Sequence, residues 1–103
     1  MARKREELSR ILKNILGNNR VYFQSPGPNT LEYPCIIYSF ETFQSDAADN
    51  IKYRNFKRYS ITLIDRKPDN DEIFNKLLDI PYCSHNRRFI TENLYHDVFN
   101  LYF

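Results

Sequence analysis

Few side chains in this sequence have catalytic or metal-binding potential. The chain has two histidines, His85 and His96, and two cysteines, Cys35 and Cys83. The spacing Cys83-x-His85 could supply two metal ligands, or a thiolate activated by an imidazole. However, two such residues on one side of a strand do not complete a site, and the sequence offers no second pair of ligands. We therefore interpret Cys83 and His85 as packing or surface residues, and both cysteines as buried free thiols.

A second group, His96, Asp97 and Asp65, could form an acidic metal cluster of the kind found in nucleases. Neighbours on a strand point to opposite faces, so we expect His96 and Asp97 not to converge, and we interpret all three as polar residues of turns and edges. The two glycines, Gly17 and Gly27, are isolated, and no phosphate-binding loop or nucleophile-elbow motif is present. We therefore expect no enzyme activity, no cofactor, no bound metal and no small-molecule substrate.

The densest charge feature is the segment from Lys52 to Tyr59, in which four cations alternate with three aromatic rings. It could bind single-stranded nucleic acid, with phosphates on the cations and bases on the rings. It could equally form an interface in a ring-shaped oligomer, where its cations meet the acids of segment 45–49 on the next subunit, or it could be a strand edge protected by cations. We favour an oligomer interface or ring lumen, predicted to contain Asp46, Asp49, Lys52, Tyr53, Arg54, Phe56, Lys57 and Arg58.

Composition limits the classes of protein to consider. With 15 basic and 13 acidic side chains, the net charge of +2 is too balanced to indicate nucleic-acid binding by bulk electrostatics. The length of 103 residues predicts a single domain over 1–103, with residues 1–5 as a flexible basic tail. Eight Tyr and eight Phe are more than a core of this size encloses, so several rings should lie at interfaces. No signal peptide or membrane span is recognisable, and we expect a soluble protein without membrane contact.

Hydrophobic periodicity predicts the element order α, β, β, β, α, β, β. The predicted helices span 6–16 and a segment from a cap at Asp69 to Ile80, and the predicted strands span 21–24, 35–43, 53–65, 82–90 and 94–103. Gly17 ends the first helix, Asp69 and Glu72 form a capping box at the second, and a tight turn at 91–93 joins the last two strands. These elements predict an α+β fold in two layers, with an antiparallel β-sheet of about four to five strands and two α-helices packed on one face.

Four segments that follow the first helix carry a resemblance to a known family. They are Tyr33 to Ile36 (YPCI), Arg58 to Arg66 (RYSITLIDR), Leu77 to Cys83 (LLDIPYC) and Asn93 to Phe103 (NLYHDVFNLYF). In this order they resemble the small tail-completion or tail-terminator proteins in the head-to-tail gene cluster of tailed bacteriophages of Gram-positive hosts. The resemblance covers nearly the whole chain, and its motifs are strand sequences without a catalytic signature.

The resemblance implies a structural virion protein that forms a ring, commonly a hexamer. Such a ring caps the finished tail tube, stops its polymerisation and offers a docking surface to the filled head. The implied partners are further copies of the chain, the tail tube protein, a head-closure or connector protein, and DNA that passes through the lumen. The implied location is the head-proximal end of the tail in the virion, and the host cytoplasm during assembly.

Two alternatives remain open at this point. Head-closure and neck connector proteins of the same phage assembly are equally small and often share the α+β ring architecture, and a small nucleic-acid-binding module would use the same basic segment. A cyclic ring needs heterologous interfaces, in which one patch meets a different patch on the neighbour. We assign residues 44–58 to an interface or the lumen, and the aromatic C-terminal strand to the core sheet or its extension across subunits.

Overall fold

A computed structural model describes residues 4–24, 31–43 and 57–103 of the chain. The elements are α1 (Arg5–Leu16), β1 (Val21–Phe23), β2 (Cys35–Phe43), β3 (Lys57–Asp65), α2 (Asp71–Leu78), β4 (Cys83–Thr91) and β5 (Leu94–Tyr102). The predicted element order and the α+β class are confirmed. Neither described helix is long and apolar enough to cross a membrane.

The five strands form one mixed sheet in the order β1-β2-β3-β5-β4. Strands β2, β3, β5 and β4 pair antiparallel, as predicted, whereas β1 pairs parallel to β2. A parallel neighbour requires a crossover connection, whereas a two-residue hairpin can join antiparallel strands. Strand β5 lies between β3 and β4, so the C-terminal strand belongs to the core sheet. Its two edges are occupied, and it cannot extend the sheet across subunits.

Both helices pack on one face of the sheet and share a single hydrophobic core with it. The spacing of four places Leu8, Leu12 and Leu16 on one side of α1, where all three are buried. The strands contribute alternate residues to this core, with Tyr59 and Ile61 as two from β3. The side chains between them point to the opposite face of the sheet.

Two helix starts differ from the prediction. Helix α1 begins at Arg5 with Lys4 as its N-cap, so Arg5 is helical and does not belong to a flexible tail. Helix α2 begins at Asp71 with Asn70 as its N-cap, so the predicted capping box at Asp69 is wrong. The Asn70 side chain makes no capping hydrogen bond and instead donates to Asp65 Oδ2 at 2.6 Å.

A two-residue turn joins β4 to β5, within the predicted tight turn. Glu92 and Asn93 both have positive φ, at 53° and 63°. Positive φ at both central residues is the type I′ geometry, which matches the twist of antiparallel strands. The hairpin therefore ends in a short, well-defined tip.

Candidate functional site

The predicted interface residues fall largely outside the described part of the chain. Those outside it are Asp46, Asp49, Lys52, Tyr53, Arg54 and Phe56. Lys57 and Arg58 are the first two residues of β3. Strand alternation sends them to opposite faces, with Lys57 on the helix-covered face beside the buried Tyr59. These two cations therefore do not form one continuous basic surface.

Arg58 lies on the face of the sheet away from the helices. Its Nε is 3.4 Å from Glu41 Oε1, close enough for an ion pair. The geometry does not suit a hydrogen bond, and among the described residues this buried N–H has no hydrogen-bond partner. Both side chains are partly exposed, so the pair stabilises the fold little and its charges remain usable at an interface.

Lys57 lines a cavity of about 220 Å³ on the helix-covered side. We call this cavity the basic-aromatic pocket, and its lining residues are Arg5, Phe23, Phe40, Lys57 and Tyr59. The Arg5 guanidinium lies 4.4 Å from the centre of the Phe23 ring, a cation–π contact. The rings of Phe40 and Tyr59 pack edge to face, with their centroids 5.9 Å apart. The pocket thus combines two cations with aromatic walls.

The aromatic walls differ in their access to solvent. Tyr59 is only 1% exposed, and burial, followed by the neighbouring Tyr38, raises the pKa of its phenol. Phe40 is 38% exposed and is the most open of the three rings. A group entering the pocket would therefore contact Phe40 rather than stack along a row of rings.

Strand β4 forms one edge of the sheet and is exposed along almost its whole length. It pairs with β5 on one side, and of its nine residues only Cys83 is partly buried. Two of the exposed side chains, Phe89 and Ile90, are large and apolar, and Ile90 is 61% exposed. A bulge between His85 and Arg87 interrupts the ladder. Among the described residues no strand covers the outer edge, which can accept a further strand.

A buried carboxylate fixes β4 to β5. Asp97 is 4% exposed and accepts two hydrogen bonds from Arg88, from Nε to Oδ1 at 2.8 Å and from Nη2 to Oδ2 at 2.9 Å. His85 Nε2 lies 3.1 Å from the same Oδ1. The hydrogen bonds with Asp97 raise the pKa of the Arg88 guanidinium. The interpretation of Asp97 as a polar edge residue is therefore wrong, because it is the buried anchor of the edge strand.

The other candidate residues have packing roles. His85 lies against the rings of Phe74 and Phe99, at 5.0 and 5.3 Å between centroids. His96 stacks on Phe89 on the opposite face, so His96 and Asp97 do not converge, as predicted. Burial raises the pKa of the Cys83 thiol to about 11, so no thiolate is available beside His85 at neutral pH.

Cys35 and Asp65 are likewise held by their surroundings. Cys35 is fully buried, as predicted, and burial raises the pKa of its thiol to about 11. Asp65 accepts hydrogen bonds from the Arg66 backbone N–H at 2.7 Å and from Asn70 at 2.6 Å. In residues 4–24, 31–43 and 57–103 no group of three or more His, Cys, Asp or Glu side chains could hold a metal ion.

The contact between Arg88 and Asp97 could have been found in the sequence, whereas the pocket could not. Counting back from a two-residue turn at 92–93 places Arg88 directly opposite Asp97, as the observed register shows. His85 reaches the same carboxylate only because of the bulge, which the sequence does not mark. The basic-aromatic pocket joins α1, β1, β2 and β3, so its composition depends on the tertiary fold.

Comparison with known proteins gave no relative. No family model matches the chain, and no curated protein or solved structure matches it. The function is therefore proposed from the geometry of the described residues and from the resemblance of the four sequence segments.

Proposed function

We propose that this chain is a structural subunit that assembles into a ring at the head-proximal end of a phage tail tube. There the ring ends tube polymerisation and offers a surface for head docking. One observation carries the proposal: β4 is a nine-residue edge strand with its side chains exposed to solvent almost throughout. The resemblance of four segments to tail-terminator proteins supplies the biological setting.

An exposed edge of this length favours assembly over a monomeric role. Monomeric proteins protect such edges with short strands, bulges or charges, because an open edge pairs with other chains. Strand β4 has one bulge and two arginines, Arg87 and the Asp97-bound Arg88, but it also exposes Phe89 and Ile90. Exposed apolar side chains beside an open edge are typical of a surface that becomes buried in an assembly.

Charge on β4 favours a ring over a two-fold dimer. If β4 paired antiparallel with its own copy about the middle of the strand, Arg87 would face Arg87 of the second copy. Like charges directly opposite each other destabilise a strand pair. A contact between two different patches avoids this repulsion, and heterologous contacts of this kind close into rings when the rotation between neighbouring subunits permits.

A triple charge reversal tests the predicted interface. Replacing Arg54, Lys57 and Arg58 together by Glu should prevent ring formation and leave the fold intact, because like charges would then meet across the seam. The matched control reverses three exposed helical cations, Arg10, Lys13 and Lys76, which changes the net charge equally. Light scattering reports the mass of each variant, and circular dichroism reports its folding. An unchanged oligomer in the first variant would refute the interface assignment.

Binding partners separate a terminator from a neck connector. A terminator ring should co-sediment with purified tail tubes that lack heads. A ring that binds DNA-filled heads but not tubes would identify the chain as a head-closure or connector protein. A monomer retained on DNA with a steep loss of affinity in salt would identify a nucleic-acid-binding module.

A further inference from the structure

The basic-aromatic pocket has side chains suited to bind one carboxylate and an adjacent apolar side chain. Arg5 is held over Phe23, and guanidinium groups donate two parallel hydrogen bonds to carboxylates. Lys57 adds a second cation, and Phe40 adds an exposed apolar surface. A volume of about 220 Å³ corresponds to roughly seven water molecules at roughly 30 Å³ each, which suits one or two side chains.

The tip of the β4–β5 hairpin presents this complementary pair of side chains. Glu92 is exposed at the first position of the two-residue turn, and Ile90, two residues earlier, is 61% exposed. The turn is short and has type I′ dihedrals, so the tip is preorganised and loses little entropy on insertion. An acid and an aliphatic residue thus project from one rigid end of the molecule.

The pocket and the tip lie at opposite ends of the sheet. The backbone of Lys57 is hydrogen-bonded to that of Phe103, whereas Asp65 is paired with Tyr95, next to the turn. Along β5 these two levels are separated by eight residues, or roughly 27 Å at roughly 3.4 Å per residue. A copy therefore cannot fill its own pocket with its own tip.

We propose that the basic-aromatic pocket of one copy receives the β4–β5 tip of the next copy. Glu92 then lies between Arg5 and Lys57 of the neighbour, and Ile90 packs against its Phe40. This inference rests on the proposed ring function and identifies the two patches that form the seam. Because the patches differ and lie at opposite ends, the contact is head to tail and closes into a ring when the rotation permits.

Nucleic acid fits the pocket less well than this tip. Glu6 follows Arg5 in the chain, and besides burial its charge contributes to the raised pKa of Tyr59 in the pocket wall, so an acid lies close to the pocket's cations. Single-stranded nucleic acid needs a continuous basic track with several stacking faces. Here one cavity offers a single open ring, which favours one side-chain acid.

Two reciprocal charge reversals test the seam. Arg5→Glu reverses the pocket and Glu92→Lys reverses the tip, and each variant alone should assemble roughly tenfold more weakly or worse than the wild type. Neither change should disturb the fold, because both residues are exposed and Glu is favourable in the first turn of α1. Asp79→Lys is the matched control, since it alters an exposed acid at the C-cap of α2, near the start of β4 and away from the tip, and should leave the mass unchanged.

Mixing the two variants makes the test specific. In an equimolar mixture alternating copies regain opposite charges at every seam. The reversed, positive tip of one variant meets the reversed, negative pocket of the other, and the native Glu92 tip meets the native Arg5 pocket. The mixture should therefore recover rings that neither variant forms alone. Light scattering of each variant and of the mixture gives the result, and the melting temperature of each confirms folding.

The outcomes separate this seam from the proposed function. If the wild type forms a ring and both single variants assemble normally, the proposed seam is wrong and the proposed ring function still stands. A wild type that remains monomeric at every concentration overturns both. If the wild type binds single-stranded DNA, and Arg5→Glu abolishes this binding without changing the mass of the oligomer, the pocket is a nucleic-acid site and the seam proposal fails.

Discussion

Replacing Arg88 by Met tests whether the buried Asp97 holds the edge strand in place. The change removes both charge-assisted hydrogen bonds and leaves a carboxylate that is 4% exposed, with His85 as its remaining side-chain partner among the described residues. Breaking a buried ion pair by removing one partner costs about 3–5 kcal/mol. The Arg88 side chain is 40% exposed, so the pair lies near solvent and we expect the lower end, about 3 kcal/mol.

The effect should be visible in thermal unfolding. For a domain of this size about 1 kcal/mol shifts the midpoint by roughly 4–8 °C, so Arg88→Met should unfold roughly 12–24 °C below the wild type. Arg87→Met is the control, since Arg87 is the adjacent arginine on the opposite face, where it lies 5.5 Å from the Phe89 ring centre. That exposed contact stabilises the fold by about 0.5–1 kcal/mol.

A double variant distinguishes the buried charge from general damage to β4. Asp97→Leu combined with Arg88→Met removes both charges, so at least half of the lost stability should return. The free energy of unfolding from urea titrations gives the coupling between the two positions. The reasoning is refuted if Arg88→Met is no more destabilising than Arg87→Met.

Four further predictions follow from other parts of the molecule. Because burial raises the pKa of Cys35 and Cys83 to about 11, alkylation of the native protein at pH 8 should be at least tenfold slower than in urea, and rapid native alkylation would contradict this. Because the pKa of both thiols is raised in the folded protein, they contribute stability below about pH 9, their ordinary pKa, and this contribution is lost as the pH rises through about 11. Urea titrations between these pH values would measure the loss. Phe99→Ala removes a fully buried ring between β3 and β4 and should lower the free energy of unfolding by about 3–5 kcal/mol, whereas a loss under 1 kcal/mol would mean that the core repacks. Glu92→Asn should raise the free energy of unfolding of the monomer by about 0.5–1 kcal/mol, because Asn tolerates positive φ. The same change should weaken assembly, because it removes the tip carboxylate. Assembly that strengthens together with monomer stability would contradict the head-to-tail seam.

The elements with strong periodicity were predictable from the sequence. The spacing of Leu8, Leu12 and Leu16 defined the buried side of α1, and alternation defined the core side of β3. The parallel pairing of β1 was not predictable, because a three-residue strand has no pattern that sets its direction. The cap of α2 was missed because the Asn70 side chain bonds Asp65 instead of its own helix.

The candidate site was less predictable than the fold. The basic segment was recognised by composition, but alternation divides Lys57 from Arg58, and the partners of Lys57 in the pocket come from three other elements. Arg5 was expected in a tail, yet its place over Phe23 depends on how α1 packs against β1. Contacts of this kind are set by tertiary packing, which one-dimensional patterns do not encode.

The mass of the purified protein in solution tests the central claim most directly. This mass is measured by light scattering behind a sizing column, at two salt concentrations and over a range of protein concentrations. A ring of six copies at 12.5 kDa each has a mass of about 75 kDa, which we expect at low salt, with partial dissociation at high salt as the ionic seams are screened. A monomer at every concentration, or a two-fold dimer of about 25 kDa, would contradict the ring.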